Sequence, residues 1–133
     1  LLKKSKKNPL TIFTGKGHNK KKKKKLEDVD VCIHQLDLNK YKVFELNKIN
    51  KILINENIKS VLVEGGSKTS AYFLNNNCVD IIYLYKSNYF TGIDGLSMLD
   101  KINTKLHFKL YNQVMLGENR LEIWININLY KKN

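Results

Sequence analysis

Hydrophobic positions along this chain follow two periods, one near 2 or continuous and one near 3.6, and the switches between them outline its elements. Leu10 to Thr14 is a short β-rich run closed by Gly15 and Gly17. The lysine run Lys20 to Lys25 repels itself and predicts a solvated loop or the start of a helix. Val29 to Leu36 sets Val29, Val31 and Ile33 against polar neighbours and reads as a second strand. From Phe44 to Ile58 the pattern changes. Phe44, Ile49, Ile52, Leu53 and Ile58 fall at helical spacing with Lys and Asn opposite, which predicts an amphipathic helix.

Ser60 to Glu64, "SVLVE", is nearly continuous in apolar residues, as in a strand buried on both faces. After Gly65-Gly66, Ala71, Phe73 and Leu74 suit one face of a helix that the run Asn75 to Asn77 stops. Val79 to Ser87 is another strand, followed by a loop with Gly92 and Gly95. Lys105 to Leu116 and Asn119 to Tyr130 are two long β patterns separated by Gly117-Glu118. In the second, Leu121, Ile123, Ile125 and Ile127 alternate with Glu122, Trp124, Asn126 and Asn128, predicting one buried face and a terminal antiparallel hairpin. The order β, β, α, β, α, β and hairpin predicts an α/β fold. Its central sheet is expected to be mostly parallel and covered on both sides, with the hairpin at an edge. No internal repeat is present.

A length of 133 residues and a hydrophobic fraction of 42% predict one folded domain, residues 1–133. A start at Leu1 rather than Met suggests part of a longer chain. The formal charge of +12 raises nucleic acid as a partner, but Arg120 is the only arginine. Lysines lack the bidentate fork that reads phosphate and guanine edges, and the abundance of Lys, Asn and Ile is that of an AT-rich genome. Nucleic acid is therefore not the expected partner. A basic module using Lys20 to Lys25 on nucleic acid or anionic lipid is the alternative, marked by a steep salt dependence. Cys32 and Cys78 stand apart, with no CxxC and no His at ligand spacing, and read as buried free thiols of a reducing compartment. No metal site is expected. No apolar run reaches the ~18 residues of a membrane span, and no signal-peptide segment opens the chain, so a cytoplasmic protein without membrane attachment is expected.

The chemistry concentrates at "VEGGSKTS", Val63 to Ser70. In an open α/β sheet, ligands sit beyond the C-terminal ends of strands, and Glu64 falls at such an end. Glycines there either take backbone angles closed to other residues or admit a ligand to the main chain. Ser67 is placed to cap the next helix, whose free N–H groups and dipole favour an anion such as a dinucleotide phosphate. The same Gly-Gly also suits a plain tight turn.

"SVLVEGGSKTSAYFLNNNCVDIIYLYKSNYFTGIDGLSML" resembles the core signature of the riboflavin-biosynthesis pyrimidine reductases, the reductase half of the bifunctional deaminase-reductase. The shared motifs are Val63-Glu64-Gly65-Gly66, Phe73-Leu74, Val79-Asp80, Ile81 to Lys86, and Gly92-Ile93-Asp94-Gly95, where Ile93 replaces a glycine. "NPLTIFT" is similar to the family's "PTLVFTT" strand. The resemblance implies a three-layer α/β/α dihydrofolate reductase-like fold. It also implies reduction of the ribosyl group of 5-amino-6-(5-phosphoribosylamino)uracil to ribityl, with NADPH giving the hydride; a reductase-like cofactor-binding protein with another substrate is a second alternative, since fold alone does not fix substrate.

Carried over, Glu64 contacts the substrate, and Gly65, Gly66, Ser67, Lys68, Thr69 and Ser70 line the NADPH phosphates. Thr14, at the end of the first strand, is a further candidate cofactor contact. No side chain is marked as catalytic, since positioning and the cofactor's own hydride carry the reaction. A homodimer through the terminal hairpin is implied. The family's K-x-A-x-S-x-D-G strand does not occur, so these residues are expected to be the C-terminal portion of the reductase domain. Neither H-x-E nor P-C-x-x-C occurs, which excludes a zinc deaminase here. His18 reads as a solvent-exposed loop residue, and His34 and His107 as structural residues of strand patterns. Trp124, Tyr111 and Tyr130 read as core or dimer surface.

Overall fold

Strand β1, Leu10–Thr14, and strand β2, Val31–Gln35, pair in parallel with Ile12 opposite Ile33 and Phe13 opposite His34. Between them runs α1, Lys20–Glu27, the helical crossover that a parallel pair requires. The computed structural model describes residues 9–17, 19–89, 92, 95, 97, 99 and 101–128. The chain divides into two units, Leu1–Val61 and Leu62–Asn133.

In the first unit, the lysine run becomes a helix because Asn19 caps it. The Asn19 side chain accepts from the N–H groups of Lys21 (2.9 Å) and Lys22 (3.3 Å). Lys24 and Lys25 in the last turn face the negative end of the helix dipole, and Lys23 Nζ lies 3.5 Å from Glu27 one turn on. The strand expected from Val29 begins at Val31, because Asp30 has a left-handed backbone (φ 58°) that breaks the extended run. Helix α2 spans Leu46–Asn55, shorter than the periodicity suggests. Asn57 turns left-handed at φ 59°, with Ile58 N–H donating to Leu53 O and Asn57 N–H to Ile54 O, each at 2.9 Å. This Schellman motif ends the helix before its last apolar residue. Val31 and Leu46 are the buried apolar residues of this unit.

The second unit opens on a departure from the sequence reading. Residues 60–66 form no strand, although "SVLVE" has the composition of one, and Val61 (56%) and Leu62 (72%) are exposed. Apolar composition becomes a strand only where a neighbour completes the ladder, and no described strand pairs with this segment. Helix α3, Ser67–Asn75, ends in a second Schellman motif built on Asn77 (φ 53°). Asn75 then ties that end down. Its side-chain amide donates to Lys101 O (3.0 Å) and its oxygen accepts from Asn103 N–H (2.8 Å).

Strands β3 (Ile81–Lys86), β4 (Phe108–Leu116) and β5 (Asn119–Asn126) form an antiparallel sheet in the order β3-β5-β4. The terminal hairpin is therefore as expected, but the single mostly parallel sheet is not. Among the described residues only β1 and β2 are parallel, because the unpaired 60–66 segment does not extend their sheet. Gly117 (φ 62°) takes the first position of the two-residue hairpin loop, where a positive φ is required. A register shift between Leu110 and Asn112 makes Tyr111 a bulge, and its side chain is exposed.

The expected one-sided burial of β5 is also corrected. As the central strand it is flanked on both sides, and its buried residue is Glu122 (4% exposed), opposite in parity to Leu121 and Ile123. The face of Leu121 and Ile123 is shared with the exposed Tyr83 and Tyr85. Cys32 is exposed and Cys78 half-buried, so neither is the buried thiol expected. On a two-stranded sheet the face carrying Cys32 lacks a full cover. His107 precedes β4, and its carbonyl accepts from Ile127 N–H (2.8 Å). His18, Ile93, Asp94 and Tyr130 lie outside the described residues.

Candidate functional site

The two glycines before α3 have different physical reasons to be glycine. A Cβ built on Gly65 would lie 2.6 Å from Thr69 Cγ2, so Gly65 is required by the fold itself. Gly66 is not. Its backbone (φ −68°, ψ 178°) is open to any residue, and a Cβ there would meet nothing within 4 Å. The fold therefore leaves open space against the main chain just where α3 begins.

Gly66 is also the N-cap. Ser67, expected to cap, is already the first helical residue, because Gly66 takes the extended cap angles and Ser67 has turned into the helix. Among the described residues no side chain caps this end. Ser70 N–H reaches Gly66 O at 3.1 Å as the first intrahelical bond, and the Ser70 hydroxyl donates to Gly65 O at 3.4 Å. The N–H groups of Ser67, Lys68 and Thr69 precede that first bond and point out of the helix, with the positive end of its dipole. Glu64, Gly65, Gly66, Lys68 and Thr69 are exposed, and Ser67 and Ser70 half-buried. This combination fits the phosphates of a nucleotide: unclaimed N–H donors, an adjacent lysine and an open approach at Gly66.

Seven of the eight sequence-predicted contacts, Glu64 to Ser70, are thus contiguous around one helix start. Glu64 precedes it from a segment that belongs to no strand, rather than from a strand end. Thr14 belongs to the other unit, at the end of β1, and lines a hollow of about 120 Å³ with Asn19, Lys22 and Lys23 at the start of α1. Beyond the ends of β1 and β2, Lys16 Nζ lies 2.7 Å from Asp37. That hydrogen bond holds the Asp37 carboxyl below its ordinary range.

Cys32, His34 and Glu56 form a cluster that sequence reading missed, with side-chain donor atoms all within 4.8 Å of one another. The signal was present as Cys-x-His on a strand, since residues two apart share a face. Glu56, 22 residues further on, had no signal of its own.

Three kinds of comparison bear on the chain. The RibD C-terminal domain family model matches residues 1–120. No curated protein sequence matches it. Among solved structures, it is similar to RibD of Acinetobacter baumannii (TM-score 0.63, 22% identity), covering 90% of this chain and 32% of that one. A pyrimidine reductase-like protein of Corynebacterium diphtheriae gives a TM-score of 0.69 at 17% identity, with 86% and 49% covered. A diaminohydroxyphosphoribosylaminopyrimidine deaminase/5-amino-6-(5-phosphoribosylamino)uracil reductase of Thermotoga maritima gives 0.56 at 20% identity, with 87% and 37% covered. The chain thus spans between about a third and a half of these relatives' lengths. With nine-tenths of its residues inside one family model, and with that family's fold in its structural neighbours, the chain belongs to the RibD C-terminal domain family.

Proposed function

We propose that this chain is the C-terminal portion of a dihydrofolate reductase-like domain that reduces the ribosyl group of 5-amino-6-(5-phosphoribosylamino)uracil to ribityl with NADPH. Family membership supports a reductase of riboflavin biosynthesis. The observation that carries the cofactor reading is Gly66, a glycine that neither torsion nor packing requires, at an uncapped helix start.

In this reading the N–H groups of Ser67, Lys68 and Thr69 bind a cofactor phosphate, and the Lys68 ammonium adds charge. Gly65 and Ser70 shape the surroundings, and Gly66 admits the phosphate to the main chain. Glu64 accepts hydrogen bonds from the ribose hydroxyls or pyrimidine N–H groups and so orients the substrate. NADPH, when bound, supplies the hydride. Self-association is assigned to the β3-β5-β4 sheet, whose exposed Ile81, Tyr83 and Tyr85 a second copy would cover. A monomeric mass in sedimentation would remove that part.

Titration of the intact protein with NADPH, followed by nicotinamide fluorescence, tests the site. Binding should saturate and weaken at least about tenfold in Gly66→Asp, which sets a carboxylate where the phosphate would lie. Binding unchanged by that substitution overturns the assignment. NADPH binding without oxidation on addition of the phosphoribosylaminouracil overturns the reaction.

A further inference from the structure

Cys32, His34 and Glu56 offer a thiol, an imidazole and a carboxylate that converge on one point. Cys32 and His34 lie on the same face of β2, two residues apart, and Glu56 reaches them from the C-terminal end of α2. Cys32 Sγ is 3.3 Å from His34 Nε2, and Glu56 Oε1 is 2.7 Å from the same nitrogen. Phe13, the partner of His34 in the β1–β2 register, stacks on the imidazole with ring centroids 5.6 Å apart and planes at 25°. The His34 and Glu56 side chains remain 28% and 30% exposed, so solvent and ions reach the cluster.

That both partners address Nε2 decides between two chemistries. A thiol activated by a histidine–carboxylate pair needs the thiol on one ring nitrogen and the carboxylate on the other. Here a proton leaving Cys32 and the Glu56 carboxylate would compete for one atom. A metal ion meets no such conflict, because it replaces the shared proton and draws all three donors towards itself. A tetrahedral Zn²⁺ with ordinary bond lengths separates its sulfur, nitrogen and oxygen ligands by roughly 3.3 to 3.6 Å. The 3.3 Å Sγ–Nε2 separation is already close to that, while the 2.7 Å Nε2–Oε1 contact must open by roughly 0.6 to 0.9 Å and the sulfur and carboxylate oxygen, within 4.8 Å of each other, must come together around the ion. Glu56 sits just past the last turn of α2, where its side chain is free to make that adjustment.

We propose that Cys32, His34 and Glu56 form a three-ligand site for Zn²⁺ or a similar borderline-soft divalent ion, with a fourth position open to water or an external ligand. The mixed S, N, O donor set matches zinc better than the all-oxygen sites of Mg²⁺ or Ca²⁺. The ion would fasten the end of α2 to β2 within the first unit. It lies wholly within the first unit and does not depend on the reductase reading.

The intact chain is titrated with Co²⁺ and then Zn²⁺ as probes. One equivalent of Co²⁺ should bind with a thiolate-to-metal charge-transfer band, and Zn²⁺ should displace it. Cys32→Ser should abolish the band. Glu56→Gln, an exposed change that leaves the helix in place, should weaken Zn²⁺ binding by about tenfold or more, as loss even of outer-shell partners does. Cys78→Ser should change neither. Absence of the band in the parent protein overturns the site, as does a band that survives Cys32→Ser or Zn²⁺ affinity indifferent to Glu56→Gln.

Discussion

Lys86 Nζ lies 2.9 Å from Glu122 Oε1, a diagonal contact between β3 and β5 that holds the only buried charged side chain among the described residues. Arg120 Nη2 is 3.0 Å from the same oxygen, and Trp124 Nε1 donates to Oε2 at 3.1 Å. The Lys86 hydrogen bond first, then those of Trp124 and Arg120's charge, hold the Glu122 carboxyl below 4.5, while burial acts in the opposite direction. A carboxylate with a lowered folded-state pKa contributes stability above its unfolded value and loses it as the pH falls through the folded one. The sheet should therefore lose stability as the pH drops below 4.5. Unfolding midpoints measured between about pH 6 and about pH 3 should fall less steeply in Glu122→Gln than in the parent protein. Equal slopes would show that the ionised pair contributes nothing to acid sensitivity.

The two glycines before α3 should separate in a stability assay. Gly65→Ala forces a methyl group into Thr69 and should cost about 1–3 kcal/mol in denaturant unfolding. Gly66→Asp should leave stability unchanged or raise it, since aspartate is a favoured N-cap beside the positive end of the helix dipole. A variant that keeps its fold and loses NADPH would tie Gly66 to the ligand alone. Equal destabilisation by both changes would contradict the packing difference.

Gly117→Ala should destabilise the hairpin by about 1–2 kcal/mol, because φ 62° places a Cβ against the following carbonyl. A urea midpoint unchanged from the parent would mean the turn relaxes to another type.

Asn19→Ala should cost about 1 kcal/mol and reduce helical circular dichroism, because the lysine run Lys20–Lys25 then loses the side chain that accepts from Lys21 and Lys22 N–H. Added salt should restore part of the helix by screening the lysines, and no salt effect would place their repulsion outside the helix balance.

Local chemistry was legible from the residues themselves. Asn, Gly and the hydrophobic period are read over a few neighbours, so β1, the two later helices, β3 and the terminal hairpin could be read along the chain. The helix start at Gly66 followed from the same short-range signals, with an error of one residue in its cap. What lay beyond the sequence depended on partners distant along the chain. "SVLVE" has strand composition, but pairing is a property of two segments, and residues 60–66 stand without a ladder. The alternation in β5 showed two faces but not which would be buried, because Lys86 comes from another strand to neutralise Glu122. Cys32 and His34 shared a face from the outset, yet only the fold of α2 brings Glu56 within 2.7 Å and turns two strand residues into a three-donor cluster. Short-range periodicity and backbone chemistry therefore set the elements, and long-range pairing and charge neutralisation set their faces and their sites.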